Sequence, residues 1–173
     1  MNIKKVVVGT LNENCYVLIK DGFALIIDPG DEADKIKKVV ENNKVLGILI
    51  THYHFDHIGA LNELEAYYNT KVIDYNNNLN KIGPFDFEII KTPGHKEDCA
   101  TYYFKKEKIM FVGDFIFRGS IGRCDLNGGN YNDMLISLNK IKYYDKNIKL
   151  YPGHGSSTTL KYELNNNIYL KEV

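Results

Sequence analysis

Thr51-His52-Tyr53-His54-Phe55-Asp56-His57 follows directly on the apolar run Val45-Leu46-Gly47-Ile48-Leu49-Ile50. The run has the length and the aliphatic, β-branched content of a buried strand, predicted over Val45–Thr51, and the motif starts at its C-terminal end. His52 and His54 stand two residues apart, so in an extended segment their side chains point the same way and can chelate one cation. Asp56 and His57 are adjacent and project differently. Four groups so arranged do not serve one tetrahedral ion, and a second ion answers the geometry. A loop between a strand and a helix holds such groups between rigid elements.

Working outward, the chain has five histidines, and the two outside this motif stand in similar settings: His95 after Thr92-Pro93-Gly94 and His154 inside Pro152-Gly153-His154-Gly155. Each follows an apolar strand, predicted over Phe85–Thr92 and Ile148–Tyr151, and Asp114 follows a third, Ile109–Gly113. With Val45–Thr51 included, four strand ends converge on one edge. Alone, His95 or His154 beside Pro and Gly reads as a turn residue, and Asp114 as a cap or surface carboxylate. Together they gather every side chain that titrates near neutral pH, and the best nitrogen donors for metals, into one set.

The rest of the pattern gives the fold class. Strands are predicted at Lys4–Val8, Cys15–Ile19 and Phe23–Ile27, with Asp21-Gly22 as a tight turn, forming an antiparallel meander. Asp31 is expected to cap a helix running to about Asn42, and Ile58–Tyr68 reads as a second, amphipathic helix. Further strands are expected at Lys71–Asp74 and Ala100–Phe104, a long loop at Asp114–Asn130, a helix from Tyr131 to about Tyr143, and a last helix over Thr158–Leu170. Runs of strands with interspersed helices suit an α/β fold, an αββα sandwich of two mixed sheets with helices outside, over residues 1–173 as a single domain.

Composition narrows the partners. Lys+Arg and Asp+Glu are 22 each, so net charge calls for neither nucleic acid nor an anionic membrane, and a small-molecule substrate is expected. No apolar stretch is long enough to span a bilayer, and a cytoplasmic location is expected. The three cysteines, Cys15, Cys99 and Cys124, are widely spaced and read as reduced thiols. Asn76-Asn77-Asn78 and Asn165-Asn166-Asn167 read as a compositional bias.

The motifs Thr51-His52-x-His54-x-Asp56-His57, Thr92-Pro93-Gly94-His95, Gly113-Asp114 and Pro152-Gly153-His154-Gly155 resemble those of the metallo-beta-lactamase superfamily. By that resemblance His52, His54 and His95 would hold one metal, Asp56, His57 and His154 a second, and Asp114 would bridge both. It implies two zinc ions, with iron or manganese as alternatives, and a bridging hydroxide that Asp56 and Asp114 help hold for attack on a carbonyl. Zinc beta-lactamases of the main subclass carry a cysteine where this chain has Asp114, which argues against antibiotic hydrolysis. Flavodiiron proteins carry a glutamate at the place of His54, and the RNA-processing members have large added domains.

Asp114-Phe-Ile-Phe-Arg118-Gly119-Ser120-Ile121-Gly122-Arg123-Cys124-Asp125, with Gly128-Gly129 beyond, is similar to the short bacterial glyoxalase II-like proteins. That similarity implies hydrolysis of an S-2-hydroxyacyl thiol to a 2-hydroxy acid and a thiol. Full-length glyoxalase II adds a helical domain that helps hold glutathione, so the thiol is left open. A mononuclear iron persulfide dioxygenase, a lactone or phosphoester hydrolase, and a non-enzymatic metal-binding module are the alternatives. Among 22 basic residues only Arg118 and Arg123 are arginines. A planar fork suits a carboxylate, so Arg123 is expected to bind a substrate carboxylate, or else to stitch its loop to Asp125 or backbone carbonyls.

Overall fold

The computed structural model, which describes residues 1–173, opens with the expected meander: β1 (Asn2–Val8), β2 (Glu13–Lys20) and β3 (Phe23–Ile27). Asp21 and Gly22 both take positive φ at the β2–β3 turn, the backbone twist that a two-residue hairpin favours. Helix α1 (Ala33–Val40), β4 (Lys44–Leu49), α2 (Phe55–Ile58), α3 (Leu61–Tyr68) and β5 (Lys71–Ile73) follow. The five strands form one sheet in the order β1-β2-β3-β4-β5, with β3, β4 and β5 parallel.

A short hairpin, β6 (Lys81–Ile82) and β7 (Phe85–Asp86), leads into β8 (Glu88–Lys91), β9 (Ala100–Phe104) and β10 (Ile109–Gly113). After a second hairpin, β11 (Ile116–Phe117) and β12 (Ser120–Ile121), come α4 (Tyr131–Ile141), β13 (Lys149–Pro152), β14 (Thr158–Thr159), α5 (Leu160–Asn166) and α6 (Ile168–Lys171). The second sheet runs β14-β13-β10-β9-β8, parallel only between β10 and β13.

Period-two alternation builds the layers. In β2, Tyr16 and Leu18 face the second sheet and pack with Phe85, Tyr102, Phe104 and Phe111, while Cys15 and Val17 face outward to Ile36, Val40 and Leu64. On the far side Met110 and Val112 of β10 meet Met134, Leu138 and Ile141 of α4. Three apolar layers therefore alternate with two sheets, the αββα arrangement, and each fully buried aliphatic or aromatic side chain contributes about 1.5–3 kcal/mol. No helix is long and apolar enough to cross a membrane. Cys15 and Cys99 are buried and all three thiols are free.

Several local expectations are corrected. Asp31 does not cap α1: Glu32 occupies the N-cap position in the left-handed region without a side-chain cap, and Asp31 Oδ1 accepts from the Glu32 N–H at 2.7 Å. The helix predicted from Ile58 to Tyr68 is broken at Gly59-Ala60, where the Ala60 N–H donates to the Pro29 carbonyl at 2.9 Å. A Cβ at Gly59 would strike the Gly30 carbonyl oxygen, and one at Gly30 the Asp56 carbonyl oxygen. The predicted strand Phe85–Thr92 is interrupted at Phe87, whose N–H bonds to the Asn80 carbonyl. Part of the Asp114–Asn130 loop is the β11–β12 hairpin.

The last predicted helix starts as strand β14 and breaks at Asn167. That residue, read as compositional, is fully buried: its Nδ2 donates to the Ser120 carbonyl and to Glu163 Oε2, both at 2.9 Å, and its Oδ1 accepts from the Tyr169 N–H. It thereby ties the C-terminal helices to the β11–β12 hairpin.

Candidate metal centre

Strand ends bring the sequence-predicted residues together. His52 and His54 leave the end of β4, Asp56 and His57 begin the single turn of α2, His95 sits between β8 and β9, Asp114 follows β10 and His154 follows β13. His52 Nε2 lies 3.1 Å and His95 Nε2 2.9 Å from His54 Nδ1. A second group forms around Asp56, whose Oδ2 is 3.1 Å from His154 Nε2 and 3.9 Å from His57 Nε2. Asp114 stands between the groups, with Oδ1 3.4 Å from His57 Nε2 and Oδ2 3.6 Å from both His95 Nε2 and His154 Nε2.

The partners behind the histidines fix which nitrogen faces inward. Arg123 O accepts from His95 Nδ1 at 2.7 Å, Leu11 O from His154 Nδ1 at 3.2 Å, and Asp28 Oδ2 from His57 Nδ1 at 3.0 Å. Thr51 Oγ1 donates to Asp28 Oδ2 at 2.6 Å, which leaves its lone pair for His52 Nδ1 at 3.1 Å. With Nδ1 protonated in all four, each Nε2 lone pair is turned toward the centre, and outer partners of this kind orient metal-binding histidines.

This arrangement fits a pair of divalent cations. Imidazole lone pairs facing one another at 2.9–3.1 Å lack the protons to pair them all. His57 Nε2 and Asp114 Oδ1 are buried with no hydrogen-bond partner, a cost that a cation would remove. Gly153 keeps the space clear, since a Cβ there would meet Asp114 Oδ1 and His57 Cε1. The groups that could hold ions are His52, His54 and His95 on one side and Asp56, His57 and His154 on the other, with Asp114 reaching both. Nitrogen and carboxylate donors without sulfur suit zinc, iron or manganese.

Electrostatics agrees with that use. Burial, with neighbouring imidazoles adding to it, pushes His52 well below its usual range, and His54 shifts down for the same reasons. For His57 burial acts downward, but the carboxylates of Asp114 and Asp28 outweigh it and raise the group well above its usual value. The Asp56 hydrogen bond raises His154. Burial alone would raise Asp56, yet the bond from His154 and the nearby His57 hold it low, so it is a carboxylate at neutral pH. Cation binding would displace the extra protons on His57 and His154.

Three supporting residues escaped the sequence reading. Asp28 also accepts the Thr51 N–H at 2.7 Å, so one buried carboxylate sets both the strand end and His57. Asn14 clamps the His154 loop: its Nδ2 donates to the Pro152 and Gly155 carbonyls, each at 3.0 Å, and its N–H to the Gly153 carbonyl at 2.7 Å. Glu13 is buried 3.9 Å from His57 Nδ1, and neither of its carboxylate oxygens has a hydrogen-bond partner. Asp28-Pro29-Gly30 and Asn12-Glu13-Asn14 carry turn-type residues, but such residues name no partner.

Burial pushes Glu13 up to about 10, against the opposing charge of His57. The unfolded chain therefore releases this proton from about pH 4.5 upward while the metal-free native protein keeps it, so stability falls as pH rises through that window. Glu13→Gln should remove a slope of up to about 1.4 kcal/mol per pH unit. Urea melts of the metal-free proteins across this range check it; parallel pH profiles for variant and wild type would contradict it.

The metallo-beta-lactamase superfamily model matches residues 8–77 and 72–154, spanning every strand end that carries a candidate ligand. The chain belongs to the metallo-beta-lactamase superfamily. Within this superfamily a probable metallo-hydrolase of Bacillus subtilis is 32% identical, with 98% of both chains aligned. A hydroxyacylglutathione hydrolase of Haemophilus influenzae is 30% identical, again over 98% of both. The crystal structure of the B3 metallo-beta-lactamase BLEG-1 superposes with a TM-score of 0.93 at 31% identity, covering 98% of this chain and 99% of that one. A superfamily protein solved in a di-iron-bound form, TTHA1623, gives 0.87 at 28% identity over 95% and 98%. Similarity to a B3 lactamase means that the missing cysteine at position 114 speaks only to the main lactamase subclass.

Arg123 lines the same cavity as these residues, and its guanidinium grips Asp125 through Nε and Nη2, both at 2.7 Å. Arg118 lies outside that cavity, with its guanidinium carbon 4.5 Å from the centre of the Tyr162 ring.

Proposed function

We propose that the chain is a binuclear metal-dependent hydrolase of thioesters, of the glyoxalase II type. The carrying observation is the sharing of Asp114 between two histidine-rich groups at the floor of a cavity of about 610 Å³. The hydroxyacylglutathione hydrolase relative supports the substrate class, and the unpaired thiols suit a reducing cytoplasm.

On this reading His52, His54 and His95 would hold one ion and Asp56, His57 and His154 the other, with Asp114 available to both. Two such cations lower the pKa of water and polarise a carbonyl oxygen. The chain supplies the rest. Asp56, ionised and partly open to the cavity, accepts and orients a proton of water at Oδ2. Asp28, Thr51 and the Arg123 and Leu11 carbonyls keep the imidazoles from turning. No Ser–His or Cys–His pair stands apart from the cluster, so water is the nucleophile: its oxygen bonds to the acyl carbon, the C–S bond breaks, and a proton goes to the departing thiolate.

Zinc is the proposed occupant. The donor set and the di-iron relative make iron its competitor, which elemental analysis decides. Zinc-loaded protein should hydrolyse an S-lactoyl thioester, and stripping with a chelator should lower turnover by at least the roughly 100-fold upper range for disturbing a residue behind a ligand, with recovery on adding zinc back. Full activity in protein shown to be metal-free would overturn the reading.

A further inference from the structure

The cavity wall has a chemistry that the metal groups do not explain. Around His54, Asp56, His95, Asp114 and His154 at its floor stand Leu11, Phe55, Phe117, Ile121 and Leu126. Phe55 is 74% exposed, Leu11 51% and Leu126 41%, so large apolar side chains face water at the mouth of one cavity, where an exposed patch marks a binding surface. Apart from histidine, Arg123 is the only basic residue lining this cavity, and its fork already holds both oxygens of Asp125. Arg118 lies over Tyr162, and Lys96, beside His95, holds Asp98 at 2.6 Å.

We propose that this cleft selects thioesters whose thiol half is apolar and uncharged, and disfavours anionic thiols such as glutathione. The inference rests on the thioesterase reading and deepens it. A thiol bearing carboxylates would lose part of its hydration against five apolar side chains and meet a guanidinium whose Nε and Nη2 already hold a carboxylate. An aryl or alkyl thiol covers Phe55, Leu11 and Leu126 and gives up no such hydration. Arg123 and Asp125 act as a specificity pair: with the aspartate present, the pair offers the substrate no net charge.

The test compares S-lactoyl benzyl mercaptan with S-lactoylglutathione on the zinc-loaded protein. The apolar thioester should be preferred at least about tenfold in kcat/KM, mainly through KM, the size of one charge-assisted hydrogen bond. Asp125→Ala frees Arg123 and should shift that ratio about tenfold toward glutathione. The pair is exposed and contributes little to stability, so the variant keeps its fold. A wild-type preference for the glutathione ester, or a ratio that Asp125→Ala leaves in place, overturns the proposal. Binding of the unreactive thioethers benzyl methyl sulfide and S-methylglutathione, followed by NMR line broadening, separates the two readings. If neither thioester turns over but the apolar thioether still binds more tightly, the hydrolase reading fails and the selection stands; tighter binding of S-methylglutathione overturns the selection.

Discussion

Asp114→Ala is expected to lose metal and turnover together while the protein stays folded. Asp114 is the carboxylate that reaches both histidine groups, with its two oxygens 3.4–3.6 Å from His57, His95 and His154. Removing it takes away a negative charge that both proposed ions would share, so turnover should fall by more than the roughly 10–100-fold that loss of a residue behind a ligand costs. Folding should survive, because Asp114 Oδ1 accepts no hydrogen bond in the metal-free chain and His57, without that carboxylate, can shed its extra proton and remain a neutral imidazole held by Asp28. His54→Ala should behave alike, since His54 Nδ1 lies against both His52 and His95. Elemental analysis beside a thermal melt checks the result. A variant that retains two ions per chain would remove Asp114 from the proposed ligand set.

Asp28→Ala is expected to damage both the fold and the site, which separates it from the ligand variants. Its carboxylate accepts from the Thr51 N–H, the Thr51 hydroxyl and His57 Nδ1, all buried. Each donor left unsatisfied costs about 1–3 kcal/mol. Metal affinity should also fall roughly 10–100-fold as the His57 ring loses its orientation. Asp28→Asn sharpens the test. It keeps an acceptor for the Thr51 N–H but sets an amide N–H against His57 Nδ1–H, so stability should recover more than metal affinity does. Equal recovery of both would mean that Asp28 serves the backbone alone.

The outcome for the fold follows the reach of each signal. The apolar run Cys15–Ile19 and the Asp21-Gly22 turn are local, and the meander is where they put it. Gly59-Ala60 and Asn167 interrupt predicted helices because of groups far along the chain, the Pro29 carbonyl and the Ser120 carbonyl, and Phe87 interrupts a predicted strand because of the Asn80 carbonyl just ahead of the β6–β7 hairpin. No periodicity contains those partners. Arg123 is the mixed case, since both readings of it were open in the sequence and the Asp125 contact shows which group it touches.

From its residues alone the chain determined its donor chemistry: which imidazoles and carboxylates it has, and that each stands where a strand ends, because side-chain type and period-two patterning are written locally. Tertiary structure alone decided how those groups are aimed. Asp28 finds His57 across 29 residues through the pairing of β3 with β4, and Leu11 finds His154 across 143 where the two sheets meet, so strand pairing and sheet packing together bring such acceptors behind the rings. Lone-pair direction, and with it the capacity to hold cations, is a property of that packing.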